Sequence, residues 1–188
     1  MKMNIKKLAL LPLIVITGLA YASMNGNSID RKLNANQNTN GGRPLVSEAQ
    51  ETPDLKFKDE NGKSVSLHSL KGKVVFINLW ATWCPPCIHE MPSINELRKN
   101  FKDNKDLVFL MVDVDGNIEK SKKWMQGKKF DLPVYIPDGD IPRDLFTGSI
   151  PTTIIVDKKN NIIGRQVGGA DYMSQEVLDL MKKLLDEK

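Results

Sequence analysis

The stretch "KVVFINLWATWCPPCIHEMP", Lys73–Pro92, decides the fold. Its opening, Lys73–Trp80, is a near-continuous apolar run rich in β-branched residues, the composition of a strand covered on both faces. A helix follows. Ile88, Met91, Ile94, Leu97 and Phe101 recur at spacings of three and four and form one apolar stripe. Between strand and helix sit Cys84 and Cys87, the only two cysteines in the chain of 188 residues.

Outward from this unit the same periodicities continue. "DLKF" and "SVSL" predict short strands around a turn at Asn61-Gly62, a hairpin signal. "LVFLMVDV", Leu107–Val114, predicts a second buried strand, and Ile118–Gln126 a helix stopped by Gly127. "PVYI" reads as a short extended piece. "PTTIIVD", Pro151–Asp157, and "IIGRQV", Ile162–Val167, predict a strand pair around Lys159–Asn161. A last helix is expected from about Ser174 to Leu185, with Val177, Leu178, Met181, Leu184 and Leu185 on one face. Strands alternating with helices, then a hairpin and a helix, make an α/β layered sheet.

The first 51 residues have a different character. Residues 1–22 carry Lys2, Lys6 and Lys7, then an apolar run from Leu8 to Ala22 ending in the small-x-small pattern Ala20-Tyr21-Ala22. This is the pattern of an export leader. Cleavage before Ser23 and retention as an anchor through residues 8–24 both remain open, because a span needs roughly 17–25 residues. Either way the domain is expected on the extracytoplasmic side. Residues 23–51 are polar and include "NANQNTNGG", which predicts a mobile linker, so the folded domain is expected over 52–188. The formal charge of +4 owes three units to the leader lysines, so the remaining chain is nearly neutral. It has no nucleic-acid footprint.

Three readings of the cysteine pair compete. As a staple it closes a tiny loop and stabilises by only about 2 kcal/mol. As a metal site it lacks ligands: the chain has two histidines, His68 and His89, and no second C-x-x-C. A Cu(I) site needs fewer ligands and stays open as an alternative. The redox reading fits best. A cysteine at a helix start lies where unpaired N–H groups and the helix dipole favour a thiolate. Cys84 is expected to attack and Cys87, one turn further in, to resolve. The intervening Pro85 and Pro86 have no N–H to offer. The Cys84 pKa is therefore expected to fall only modestly, which suits a reductant better than a strong oxidant.

"WATWCPPC" after "VVFINL", with "EMP" behind it and "SIPTTIIVDKKNNIIGRQVGG" near the end, resembles the TlpA/ResA-like thiol-disulfide oxidoreductases of the thioredoxin superfamily. The resemblance extends over about residues 52–188. It implies a thioredoxin-like fold, a central mixed sheet flanked by helices, here with an N-terminal β-hairpin extension. It also implies an insertion after the second βα unit, a place that "DLPVYIPDGD" fits.

Asn78, six residues before Cys84, occupies the place where thioredoxin has a buried acid. By the resemblance Glu90 is the substitute, exchanging protons with the inner thiol. Read without it, Glu90 is more simply an exposed helix charge. The resemblance likewise makes Ile150-Pro151 the family's cis-prolyl bond, pairing with substrate beside Cys84, where composition suggests only a strand-start proline. Trp83, Pro85 and Pro86 would shape the substrate-facing surface. Trp80 and Trp124 read as core, and Pro92 as a structural kink. No bound cofactor is expected, since the dithiol carries the two electrons. The implied partners are disulfide-bonded proteins, apocytochrome c among them, and a membrane thiol-transfer protein as electron donor. The opposite direction, disulfide donation, remains the nearest rival.

Overall fold

Val74–Trp80 does form a strand, and all seven of its residues are buried. The structure, a computed structural model, describes residues 50, 51 and 53–187. The leader and nearly all of the linker lie outside the described residues, and so does the possible anchor at 8–24. Among the described residues no helix is long and apolar enough to cross a membrane.

In chain order the strands are β1 Gln50–Glu51, β2 Lys56–Asp59, β3 Ser64–Ser66, β4 Val74–Trp80, β5 Leu107–Asp113, β6 Val134–Pro137, β7 Thr152–Val156 and β8 Asn161–Val167. The helices are α1 Pro85–Asn100, α2 Ile118–Lys128 and α3 Gln175–Asp186, with a 3-10 turn at Leu67–Leu70. Among the described residues they build one eight-stranded mixed sheet, ordered β1-β8-β7-β4-β5-β6-β2-β3. β4 runs parallel to β5 and antiparallel to β7. This is the α/β, thioredoxin-like architecture that the sequence predicts.

Alternation along β4 divides the core. Val74, Phe76 and Trp80 join one cluster with Met91, Ile94 and Leu97 of α1, Met125 of α2 and Val177, Met181 and Leu184 of α3. Val75, Ile77 and Leu79 join a second cluster, closed by Leu55, Phe57, Leu67 and Leu145. The period of two is what sends neighbours to opposite faces. Phe76 sits between two rings, with Phe109 and Tyr172 each 5.1 Å away by centroid.

The differences from expectation are local. The expected N-terminal hairpin extension is present as β2–β3 and turns at Gly62, whose φ of +77° suits glycine. β2 pairs with β6, so the hairpin widens the sheet, and the short extended piece Val134–Pro137 is the strand that it joins. Gly127 does not stop α2, which runs on to Lys128. The stop is Lys129, left-handed at φ 58°, with its N–H on the Gln126 carbonyl. Met125 and the Trp124–Phe130 contact hold that last turn against the core, which outweighs the cost of an interior glycine, about 1 kcal/mol. Finally, Gln50 and Glu51 pair with Ile162 and Asn161 of β8, two residues before the expected boundary at 52. Pairing at a sheet edge uses backbone groups, which composition does not record.

The central position of Phe76 yields a measurable expectation. Phe76→Ala should lower the unfolding free energy by about 3–5 kcal/mol in urea titration. Phe101→Ala, at the half-buried end of α1, should cost clearly less.

Candidate active site

The chain leaves β4 at Trp80 and enters α1 at Pro85, so the cysteines stand at the carboxyl end of a central strand. Cys84 is the N-cap of α1, and its Sγ accepts the Cys87 N–H at 3.3 Å. Pro85 and Pro86 fill the first two helical positions, where N–H groups have no intrahelical acceptor in any case. The sulfur therefore caps the helix at its positive end. Cys84 and Cys87 are joined as a disulfide with Cα atoms 5.3 Å apart. Cys84 is 3% exposed and Cys87 0%, so the first cysteine is the outer one.

One turn beyond Cys87 lies Glu90. It is only 2% exposed, against the bland expectation of a solvated helix charge. Its Oε1 accepts the Asn78 Nδ2–H at 2.7 Å, and its Oε2 accepts the Ala170 N–H at 3.2 Å. Burial pushes its carboxyl up to about 7, and these two N–H donors only partly offset that. Asn78 is fully buried on β4 and faces Thr153, its cross-strand partner on β7, whose Oγ1 accepts a second Asn78 Nδ2–H at 2.9 Å. Thr153 in turn bonds the Tyr172 hydroxyl. Burial, then the nearby Glu90 charge, pushes that hydroxyl well above the ordinary tyrosine range, so it stays protonated.

Ile150 packs against the core cluster that contains both cysteines. Ile150-Pro151 is a cis peptide. The Pro151 carbonyl accepts the Gly168 N–H at 2.9 Å, and Gly168 needs its left-handed φ of +87° to offer it. Trp83 is 60% exposed beside Cys84, with its Nε1–H on Asp115 Oδ2 at 2.7 Å. Trp80 is buried and packs at a tilt against Trp124, with ring centroids 5.3 Å apart. An open groove of about 670 Å³ runs between Pro86, His89 and Pro92 of α1 and the Gly169–Asp171 loop.

His68 is not brought to the cysteines. It is exposed in the 3-10 turn after β3. Its backbone N–H is on Asp54. Among the described residues no group of three or more His, Cys, Asp or Glu side chains is placed to hold a metal ion.

Residues 47–180 match the Redoxin family. The chain belongs to that family. Within it, 127 residues are 37% identical to the thioredoxin-like protein YneN of Bacillus subtilis, covering 65% of this chain and 73% of that one. A further match is the thiol-disulfide oxidoreductase ResA of Bacillus thuringiensis, 32% identical over 136 residues, 72% of this chain and 77% of ResA. Among solved structures, a secreted thiol-disulfide isomerase from Corynebacterium glutamicum superposes with a TM-score of 0.60 at 25% identity, covering 74% of this chain and 87% of that one. This Redoxin-family chain is thus a ResA-like protein thiol-disulfide oxidoreductase of the thioredoxin superfamily.

Of the residues behind Glu90, Thr153 and Tyr172 escaped sequence reading. Thr152 and Thr153 at the head of an apolar strand were the available hint of a polar contact inside the core. Nothing in the sequence marks Tyr172 or the Ala170 N–H, which reach the site from a loop about 80 residues later.

The Glu90 environment makes stability depend on pH. Between about pH 4.5 and 7 the folded chain retains a proton that the unfolded chain has released, so folding stability falls as pH rises through this window. The loss should be on the order of 3 kcal/mol. Urea denaturation of the oxidised protein across pH should show this slope, and Glu90→Gln should flatten it.

Proposed function

We propose that this enzyme is an exported reductase of protein disulfides that works through the Cys84–Cys87 pair. The observation that carries the reading is the cap: the Cys84 sulfur sits on the positive end of α1 and accepts the Cys87 N–H. The Cys84 thiolate attacks a substrate disulfide, forming a mixed disulfide and releasing one substrate thiolate. Cys87 then attacks Cys84, forming the Cys84–Cys87 disulfide and releasing the second substrate thiolate. Two electrons pass to the substrate, whose released thiolates take their protons from solvent. Glu90, buried one turn beyond Cys87 and with a pKa near neutrality, accepts the Cys87 proton and returns it in the next cycle.

Trp83, Pro85 and Pro86 are exposed around Cys84 and form the surface that meets the substrate, with Ile150 and Pro151 as its backbone partner. The reductant direction is supported by Pro85 and Pro86, which withhold two N–H donors from the Cys84 thiolate. The leader supports export, in line with the secreted neighbour from Corynebacterium glutamicum. Substrates of the ResA-like kind, apocytochrome c among them, and a membrane thiol-transfer protein as electron source complete the proposal.

The reduction potential of the Cys84–Cys87 couple tests the direction. A value near or below about −250 mV agrees with a reductase, and one above about −180 mV means that the enzyme makes or shuffles disulfides. The division of roles has its own test. Cys87→Ser should accumulate a mixed disulfide with a disulfide-bonded protein substrate, visible on non-reducing gels. Cys84→Ser should accumulate none, and the reverse pattern would exchange the two roles.

A further inference from the structure

Asn78, Thr153 and Tyr172 form a hydrogen-bonded line that ends on Glu90 inside the core. The line is built from three separate parts of the fold: β4, β7 and the loop before α3. Asn78 is 0% exposed, Thr153 1% and Tyr172 2%. Asn78 commits its amide nitrogen to both Glu90 Oε1 and Thr153 Oγ1. Its Oδ1 is buried and has no hydrogen-bond partner among the described residues. Leaving a buried acceptor unpaired is unfavourable, so this amide is held at an expense.

We propose that Asn78 is a positioning residue for disulfide exchange: its amide, matched by Thr153 and Tyr172, can turn either face to Glu90 and hold that side chain whether or not it carries a proton. In each case the bonds to Glu90 and Thr153 are made, and the end of the amide turned away from them is left unpaired, Oδ1 with Glu90 ionised and Nδ2 with Glu90 protonated. With Glu90 ionised, Asn78 Nδ2 donates to the carboxylate and to Thr153, and the Thr153 hydroxyl donates to Tyr172. With Glu90 protonated, the amide turns over. Its Oδ1 then accepts from the Glu90 hydroxyl and from Thr153, and Tyr172 donates to Thr153. Either hydroxyl of the Thr153–Tyr172 pair can be the donor, which is what the reversal requires. A carboxylate or a leucine at position 78 could not serve both cases.

Few other groups compete for control of Glu90. α1 brings Cys87 one turn earlier on the buried face, with His89 exposed in the groove. The loop before α3 brings Tyr172, the Ala170 N–H and the exposed Asp171. β4 and β7 contribute Asn78 and Thr153, which do not titrate. None of the ion pairs among the described residues includes Glu90.

The link to catalysis rests on the reading of Glu90 as proton carrier, so two readouts are needed on the purified full chain. Carboxyl-carbon NMR follows the Glu90 titration itself, and the rate of exchange with a disulfide-bonded protein is followed across pH. Asn78→Leu removes the donor to Oε1. It should raise the proton affinity of Glu90 about tenfold, lower the rate at pH 7 about fivefold, and leave the rate at pH 9 nearly unchanged. Asn78→Asp has the same shape and guards against a folding failure. It sets a second carboxyl against Glu90, so the pair should titrate in two steps, one well above pH 7. In a Glu90→Gln background Asn78→Leu should no longer move the rate profile. An unmoved Glu90 titration in both variants overturns the proposal. A moved titration with an unmoved rate profile supports the hold of Asn78 on Glu90 and removes Glu90 from the exchange chemistry.

Discussion

Every residue of β4 is buried, and this constraint organises the molecule. A strand with neighbours on both edges and side chains covering both faces has one register available, because a slip of one residue would exchange its two hydrophobic sets. With β4 held between β5 and β7, its carboxyl end is held as well. The disulfide that follows is therefore presented by a rigid frame rather than by a mobile loop. α1 leaves from the same point and returns its apolar stripe to the same core, so Met91, Ile94 and Leu97 anchor the helix whose first residue beyond the cap is Pro85.

The same strand carries a polar residue into that core. Asn78 lies between Phe76 and Trp80 on the face that meets α1. A lone amide there would be costly, and a lone carboxylate more so. The two offset each other only in part: burial still moves the Glu90 carboxyl to about 7. A proton near neutrality is the consequence, and it lies one helical turn beyond the inner cysteine. Thr153 and Tyr172 extend the line and spare Asn78 an unpaired hydrogen beside its unpaired Oδ1. Trp80 shows the other outcome on this strand, since its buried Nε1–H finds no acceptor among the described residues and the ring is retained for packing.

At the surface the chemistry of the cap is set by what two residues lack. Pro85 and Pro86 begin the helix readily because their φ is already helical. They also narrow the set of N–H donors that can reach the Cys84 sulfur, leaving that of Cys87 at 3.3 Å. A thiolate with one backbone donor and a helix dipole is favoured less than one with several, which is the basis of the proposed reductant direction.

The sequence by itself determined the local structure around the cysteines. Strand, cap and helix were legible because period two, a proline pair and a spacing of three and four are local signals, and β4, α1, β5 and α3 follow them closely. The resemblance pointed to Glu90 and to Ile150-Pro151, while composition favoured a solvated glutamate and an ordinary strand-start proline. The tertiary structure decided the rest. Gly127 lies inside α2 because Trp124 and Phe130 pack together beyond the expected stop. Gln50 and Glu51 extend the sheet because β8 offers them an open edge. Glu90 is buried because the loop at 168–172 is laid over it, and its partners Asn78 and Thr153 are themselves 75 residues apart. Periodicity reports which face of an element is covered. It does not report what covers it, and the protonation of a buried carboxyl depends on the covering groups.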